Sequence, residues 1–112
     1  MVKKLVLANA FSINMIQKFP AKVMIGEVSE EWIKSLLRLG ARIESYIGHE
    51  STAQILSERL GTEIAFNRST LTLEPGSVVL VAQLGGPRKE YKDMTREEIA
   101  SYPIRYFFVK VE

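Results

Sequence analysis

The only histidine of the chain, His49, stands in the run Ile47-Gly48-His49-Glu50-Ser51-Thr52, where extended chain hands over to a helix that the pattern starts near Ser51. A helix start presents backbone N–H groups that no helical carbonyl accepts, and these attract anions such as phosphate. An imidazole beside them can pass a proton to or from a bound phosphate ester. Other polar residues fall at comparable junctions. Asn9, Ser12 and Asn14 follow the first apolar run, Gln83 ends another, and Arg68 and Arg88 lie in connecting segments. If these residues converge with Ser51 and His49, the pocket offers amides for base edges or ribose oxygens, guanidinium groups for phosphates and one imidazole for proton transfer. A nucleotide is the ligand that such a set fits.

Each of these residues also has a local explanation. Asparagines satisfy nearby backbone groups in turns, so Asn9 and Asn14 fit that role too. Ser51 and Gln54 have the spacing of a capping box, which accounts for the serine without nucleophilic catalysis. Arg68 and Arg88 are of a type that stays solvated, and Gln83 can satisfy a sheet edge. Trp32, Tyr102, Tyr106, Phe107 and Phe108 read as core rather than as base-stacking platforms, and Glu97-Glu98 as favourable charge at a helix start. One histidine and no cysteine leave no common zinc ligand set, and the acids form no two-metal pattern, so the chemistry is expected to need neither metal nor cofactor. Gly85 and Gly86 make neither a Walker motif nor a dinucleotide fingerprint.

The elements that must position these residues follow from periodicity. Residues 3–8 predict a mostly buried strand, followed by a short helical turn through Met15 and Ile16. Residues 21–28 predict a second strand. Ser29 caps a helix whose apolar face is Trp32, Ile33, Leu36, Leu37 and Leu39, and Gly40 stops it. Residues 41–47 are ambiguous between a short strand and irregular chain. A helix from Ser51 carries Ala53, Leu56 and Leu60 inward and ends at Gly61. Thr70 to Leu73 alternates like a half-buried strand, and a turn at Glu74-Pro75-Gly76 predicts a hairpin with Ser77 to Ala82. The glycines of Leu84-Gly85-Gly86-Pro87-Arg88-Lys89 permit close backbone approach, and its bases can meet an anion. Thr95 and Glu98 predict a capping box on a short helix before Pro103, and residues 104–111 a closing strand.

At 112 residues, 46% of them hydrophobic, the chain suits one domain spanning residues 1–112, with a core of its own. Interleaved strands and helices predict an α/β or α+β fold, a mixed sheet flanked by helices. Fifteen bases against 13 acids leave a net charge of +2 with no basic run, which favours a local anionic pocket over a broad duplex-binding face. The first apolar run is broken by Asn9, Ser12 and Asn14 well short of a membrane span, and the lack of cysteine suits the cytoplasm.

Taken together, Leu7-Ala8-Asn9-Ala10-Phe11-Ser12-Ile13-Asn14-Met15, the His49 run and Asn67-Arg68 resemble a small archaeal-virus and bacterial protein family that includes viral anti-CRISPR ring nucleases acting against type III immunity. The resemblance runs from Leu5 to about Arg88. It implies a homodimer with a ligand pocket across the two-fold axis and cyclic tetra-adenylate as ligand. His49 would be the general acid, Arg68 and Arg88 would hold or polarise phosphate, and Asn9, Ser12, Asn14, Ser51 and Gln83 would position the nucleotide. Family members carry a glutamine, a short spacer, an arginine and an acidic loop; here that stretch reads Gln83-Leu84-Gly85-Gly86-Pro87-Arg88-Lys89-Glu90-Tyr91. Glu90 therefore joins His49 and Arg88 as a catalytic candidate, one that would reach the partner's pocket. The implied reaction is attack of a ribose 2′-hydroxyl on its adjacent phosphorus, giving linear di-adenylates with 2′,3′-cyclic phosphate ends. The same pocket would also serve a noncatalytic cyclic-oligonucleotide sensor, and a viral structural or nucleic-acid-binding protein is a further alternative.

Overall fold

The computed structural model describes residues 4–112; Lys3, assigned by pattern to the first strand, lies outside them. The chain is an α+β domain built as β1 (Lys4–Ala8), β2 (Val23–Val28), α1 (Glu30–Arg38), β3 (Arg42–Tyr46), α2 (Glu50–Leu60), β4 (Val78–Leu84), α3 (Arg96–Ser101) and β5 (Ile104–Val111). Single 3₁₀ turns at Ile13–Met15 and Tyr91–Asp93 punctuate the long connections. The five strands form one sheet in the order β2-β5-β4-β1-β3. β1 runs parallel to both β3 and β4, while β5 pairs antiparallel with β4 and β2.

Strand side chains alternate between faces, and in the central strands β1, β4 and β5 both faces carry buried apolar residues. Leu5 and Leu7 of β1, Leu80 and Ala82 of β4 and Tyr106 of β5 share one layer with Ile33 of α1 and Ala53, Leu56 and Leu60 of α2. Ala8, Val79, Val81, Val109 and Val111 face the other way, onto Ile16, Leu71 and Leu73. Irregular chain, not helix, covers that second face.

Three local expectations give way to this arrangement. Thr70 to Leu73 forms no strand and no hairpin with β4, because both edges of β4 are already taken by β1 and β5. Its alternation is real, with Leu71 and Leu73 buried, but the backbone makes only an isolated bridge between Ile16 and Leu73, closed by the Leu73 N–H on the Met15 carbonyl at 2.7 Å. Trp32 is 45% exposed and Leu39 84% exposed. At about 100° per residue, Trp32 lies a quarter-turn from the Ile33-Leu36-Leu37 seam that meets the sheet, and Leu39 is already the residue that ends the helix. Finally, α2 is capped by His49, whose carbonyl accepts the Ala53 N–H at 3.0 Å, and not by a Ser51–Gln54 box. The ambiguous segment at 41–47 resolves as β3, pinned to β1 from Lys4↔Arg42 to Ala8↔Tyr46. The Thr95–Glu98 capping box forms as the spacing predicts.

Candidate functional site

Because β1, β3 and β4 are parallel, their carboxyl ends open at one rim of the sheet, the place where ligands commonly bind such sheets. β1 delivers Asn9 there, β3 delivers Ile47-Gly48-His49, and β4 delivers Gln83-Leu84. α2 begins directly after β3, so its amino end stands at the same rim, and beyond the helix the chain returns to the outer edge of β3 at Phe66. The result is a cleft of about 670 Å³ lined by Asn9, His49, Glu50, Ser51, Thr52, Gln83, Arg88, Lys89, Glu90 and Tyr102, with Ile55, Ala82, Leu84 and Gly86 supplying apolar wall.

The segment before His49 is tightly set. The Gly48 N–H donates to Asn9 Oδ1 at 3.1 Å, tying the ends of β1 and β3 together. A bridge from Ile47 to Phe66 extends the sheet edge, and the Asn67 N–H donates to the Ile47 carbonyl at 2.8 Å. Asn67 Nδ2 donates to the Ser45 carbonyl at 2.8 Å, which places the Arg68 stem over Gly48: a Cβ built there would lie 3.6 Å from Arg68 Cγ. His49 itself is exposed and makes no side-chain capping bond. His49 thus directly precedes Glu50, Ser51 and Thr52, which begin α2, and lines the cleft with them, open to a ligand.

The opposite wall is the loop after β4. Ser51 Oγ donates to Glu90 Oε2 at 2.6 Å and accepts the Tyr91 N–H at 3.2 Å. The serine thus latches the loop to the start of α2, which answers why it does not cap the helix. A carboxylate at that point also suits the positive end of the helix dipole. Glu90 engages its own chain's Ser51 in this way. Lys89 is occupied by Glu98 at 2.7 Å, an ion pair that, with the Thr95 backbone bond, holds the Glu98 carboxyl below its ordinary range. Arg88 is exposed and has no ion-pair partner among the described residues. Such an unengaged guanidinium across a cleft from a helix amino end is equipped to take a phosphate bidentately.

Of the residues singled out by sequence, His49, Arg88, Glu90, Asn9, Ser51 and Gln83 share this cleft. Arg68 lies next to it behind Gly48. Ser12 and Asn14 do not line it: they form the exposed start of the Ile13–Met15 turn, with the Asn14 N–H donating to Ser12 Oγ at 3.3 Å. Tyr102, read from sequence as core, lies instead on the cleft wall, and Thr52 and Glu50 were not singled out at all. Helix numbering gives a signal for the latter two, since they are among the first residues of α2, whereas no local pattern marks Tyr102. Among the described residues, no group of three or more His, Asp or Glu side chains could hold a metal ion, and no helix is long and apolar enough to cross a membrane.

Residues 5–108 match the family described as STIV B116-like. Among solved structures, the chain is similar to B116 of Sulfolobus turreted icosahedral virus, with 30% sequence identity, a TM-score of 0.79, and coverage of 96% of this chain and 98% of that one. No curated protein sequence matches the chain.

Proposed function

The chain belongs to the STIV B116-like family, and from that membership together with the rim cleft we propose that it is a metal-independent ring nuclease that cleaves cyclic tetra-adenylate and so switches off type III CRISPR signalling. Anti-CRISPR ring nucleases belong to the same family. The observation that carries the proposal is the meeting, in one cleft, of an exposed imidazole, the amino end of α2 and an arginine with no ion-pair partner among the described residues. Each complements a different part of a phosphodiester in transit.

In this reading the ligand supplies its own nucleophile. A ribose 2′-hydroxyl attacks the adjacent phosphorus and gives up its proton to water, the 5′-oxygen departs with the bonding electron pair, and His49 gives that oxygen a proton. Arg88 and the α2 N–H groups stabilise the charge that grows on the nonbridging oxygens. One histidine suffices if the cleft fixes the 2′-oxygen in line, because orientation alone contributes much of the rate. Asn9, Gln83 and Ser51 border the cleft where ribose and base would lie, and Arg68 would act from behind Gly48. Glu90 would orient Ser51, whose hydroxyl donates to it.

A cleft of about 670 Å³ falls within the roughly 300–1,000 Å³ typical of sites for drug-sized ligands, and a ring of four nucleotides is larger than such a ligand. That disparity supports a homodimer in which two clefts face one ring, each cutting once to give linear di-adenylates. Light scattering on the purified protein tests it, and a monomer that remains monomeric with the ring present would refute it.

The activity test is incubation with cyclic tetra-adenylate in EDTA, with products identified by chromatography and mass spectrometry. Wild type gives linear products with cyclic phosphate ends, and His49→Ala loses about a hundredfold or more in rate while still binding the ring. An intact ring with wild type would sink the nuclease reading and leave a noncatalytic sensor.

A further inference from the structure

Tyr102 stands outside the chemistry above, yet it lines the cleft and contacts the loop that carries Arg88. Its ring separates the cleft from a recess of about 200 Å³ bounded by Pro87, Lys89, Met94, Glu98 and Pro103. Its hydroxyl donates to the Pro87 carbonyl at 2.9 Å. The ring lies so close to Gly86 that a Cβ there would sit 2.6 Å from Tyr102 Cε2 and 2.7 Å from Cζ. The next residue, Pro103, accepts the Gly85 N–H at 2.8 Å. Three successive residues, Gly85, Gly86 and Pro87, are therefore gripped by the Tyr102-Pro103 pair, and Arg88 is the residue that follows.

The grip is itself anchored. The Tyr102 carbonyl accepts Arg59 Nη1 at 2.6 Å, and Arg59 is ion-paired to Glu30 at 3.0 Å. A pair of glycines is otherwise the most mobile stem a loop can have, because glycine gives up the most conformational freedom on ordering. Arg88 has no ion-pair partner among the described residues, so nothing of that kind fixes its head; the backbone is what aims it. A transition-state donor misplaced by even an ångström loses much of its effect.

We propose that Tyr102 is a positioning residue: through its hydroxyl on Pro87 and its ring on Gly86, it sets where Arg88 presents its guanidinium to the phosphodiester. The proposal rests on the reading of the cleft as a ring-nuclease site. A tyrosine that only filled space would be indifferent to its hydroxyl, whereas a positioning tyrosine is not. The direct test is Tyr102→Phe, which keeps the ring and removes only the bond to Pro87. Gly86→Ala, which pushes the ring away, is the second variant.

Both variants are expected to bind cyclic tetra-adenylate within about twofold of wild type, while single-turnover cleavage at saturating ring falls about tenfold, the rate equivalent of one hydrogen bond. Amide hydrogen exchange from Gly85 to Glu90 should quicken in both, measured on protein without ligand. Tyr102→Phe cleaving at the wild-type rate, or losing affinity and rate equally, overturns the proposal. If wild type leaves the ring intact, the nuclease reading falls separately. Exchange then decides alone, and unchanged protection from Gly85 to Glu90 in Tyr102→Phe refutes the positioning role.

Discussion

Arg59 offers the sharpest test of how the helices are held to the sheet behind the cleft. Its guanidinium meets Glu30 of α1 through Nε to Oε1 at 3.3 Å and Nη2 to Oε2 at 3.0 Å, and its Nη1 donates to the Ile99 carbonyl at 3.1 Å and the Tyr102 carbonyl at 2.6 Å. Glu30 Oε2 also accepts the buried Tyr106 hydroxyl at 2.6 Å. Burial, then the Glu30 carboxylate, pushes the Tyr106 hydroxyl well above the ordinary tyrosine range, so it stays a donor. Arg59→Met removes the cation and leaves Glu30 beside a tyrosine and two carbonyls that have lost their donor. Removing one partner of a buried pair costs about 3–5 kcal/mol. The side chains here are 16% and 21% exposed, so water relieves part of that, and about 3 kcal/mol is expected. In a domain of this size that corresponds to a melting temperature lower by about 10–15 °C. Glu30→Gln keeps an acceptor for Tyr106, and combining it with Arg59→Met should cost less than the sum of the two by at least about 1 kcal/mol. Urea denaturation of the four proteins measures this. A loss below about 1 kcal/mol in Arg59→Met, or strict additivity in the double variant, would refute the account of a coupled node.

Two glycines should separate cleanly in thermal melts. Gly26→Ala places a Cβ 2.4 Å from Phe108 Cε1 and should destabilise by about 1–3 kcal/mol, whereas Gly48→Ala meets Arg68 at an ordinary 3.6 Å and should melt within about 1 kcal/mol of wild type. Equal losses would contradict the packing described. Ser51→Ala removes the acceptor of the Tyr91 N–H and the donor to Glu90, so it should cost about 1 kcal/mol and speed amide exchange at Tyr91; unchanged exchange would mean that the latch does not hold. The Arg105 hydrogen bonds lower Glu27, and the Lys89 and Thr95 bonds lower Glu98, from an ordinary 4.5. A folded-state value below the unfolded one means stabilisation that is full above about 4.5 and lost as pH falls through the lowered values. Denaturation midpoints should therefore drop as the pH falls below about 4.5, and a midpoint that stays flat there would remove both carboxylates from the account.

Local physics made much of the fold legible. The apolar runs at β1 and β5, the Ile33-Leu36-Leu37 seam of α1, the inward stripe of α2 ending at Gly61 and the Thr95–Glu98 box are all short-range patterns, and all appear in the structure. The misreadings share one cause. Alternation at Leu71 and Leu73 reports which side chains are buried, not whether the backbone has a ladder partner, and β4 had none to offer. Ser51 has the spacing of a cap, but a hydroxyl bonds whatever the fold brings near, and the fold brought Glu90 and Tyr91.

The same division holds for the site. Residue chemistry by itself determined that His49, Arg88, Asn9 and Gln83 sit at the ends of strands or in loops, since polar groups interrupt apolar runs where chain leaves the core. Which ends meet was decided by the strand order: β4 and β3 flank β1 in parallel, so positions 9, 49 and 83 arrive at one rim although some 75 residues separate the first from the last. Ser12 and Asn14, close to Asn9 in sequence, fall outside the cleft, and Tyr102, far from all of them, forms its wall. Contacts between residues distant along the chain depend on the global packing of the sheet and its helices, and no local spacing encodes them.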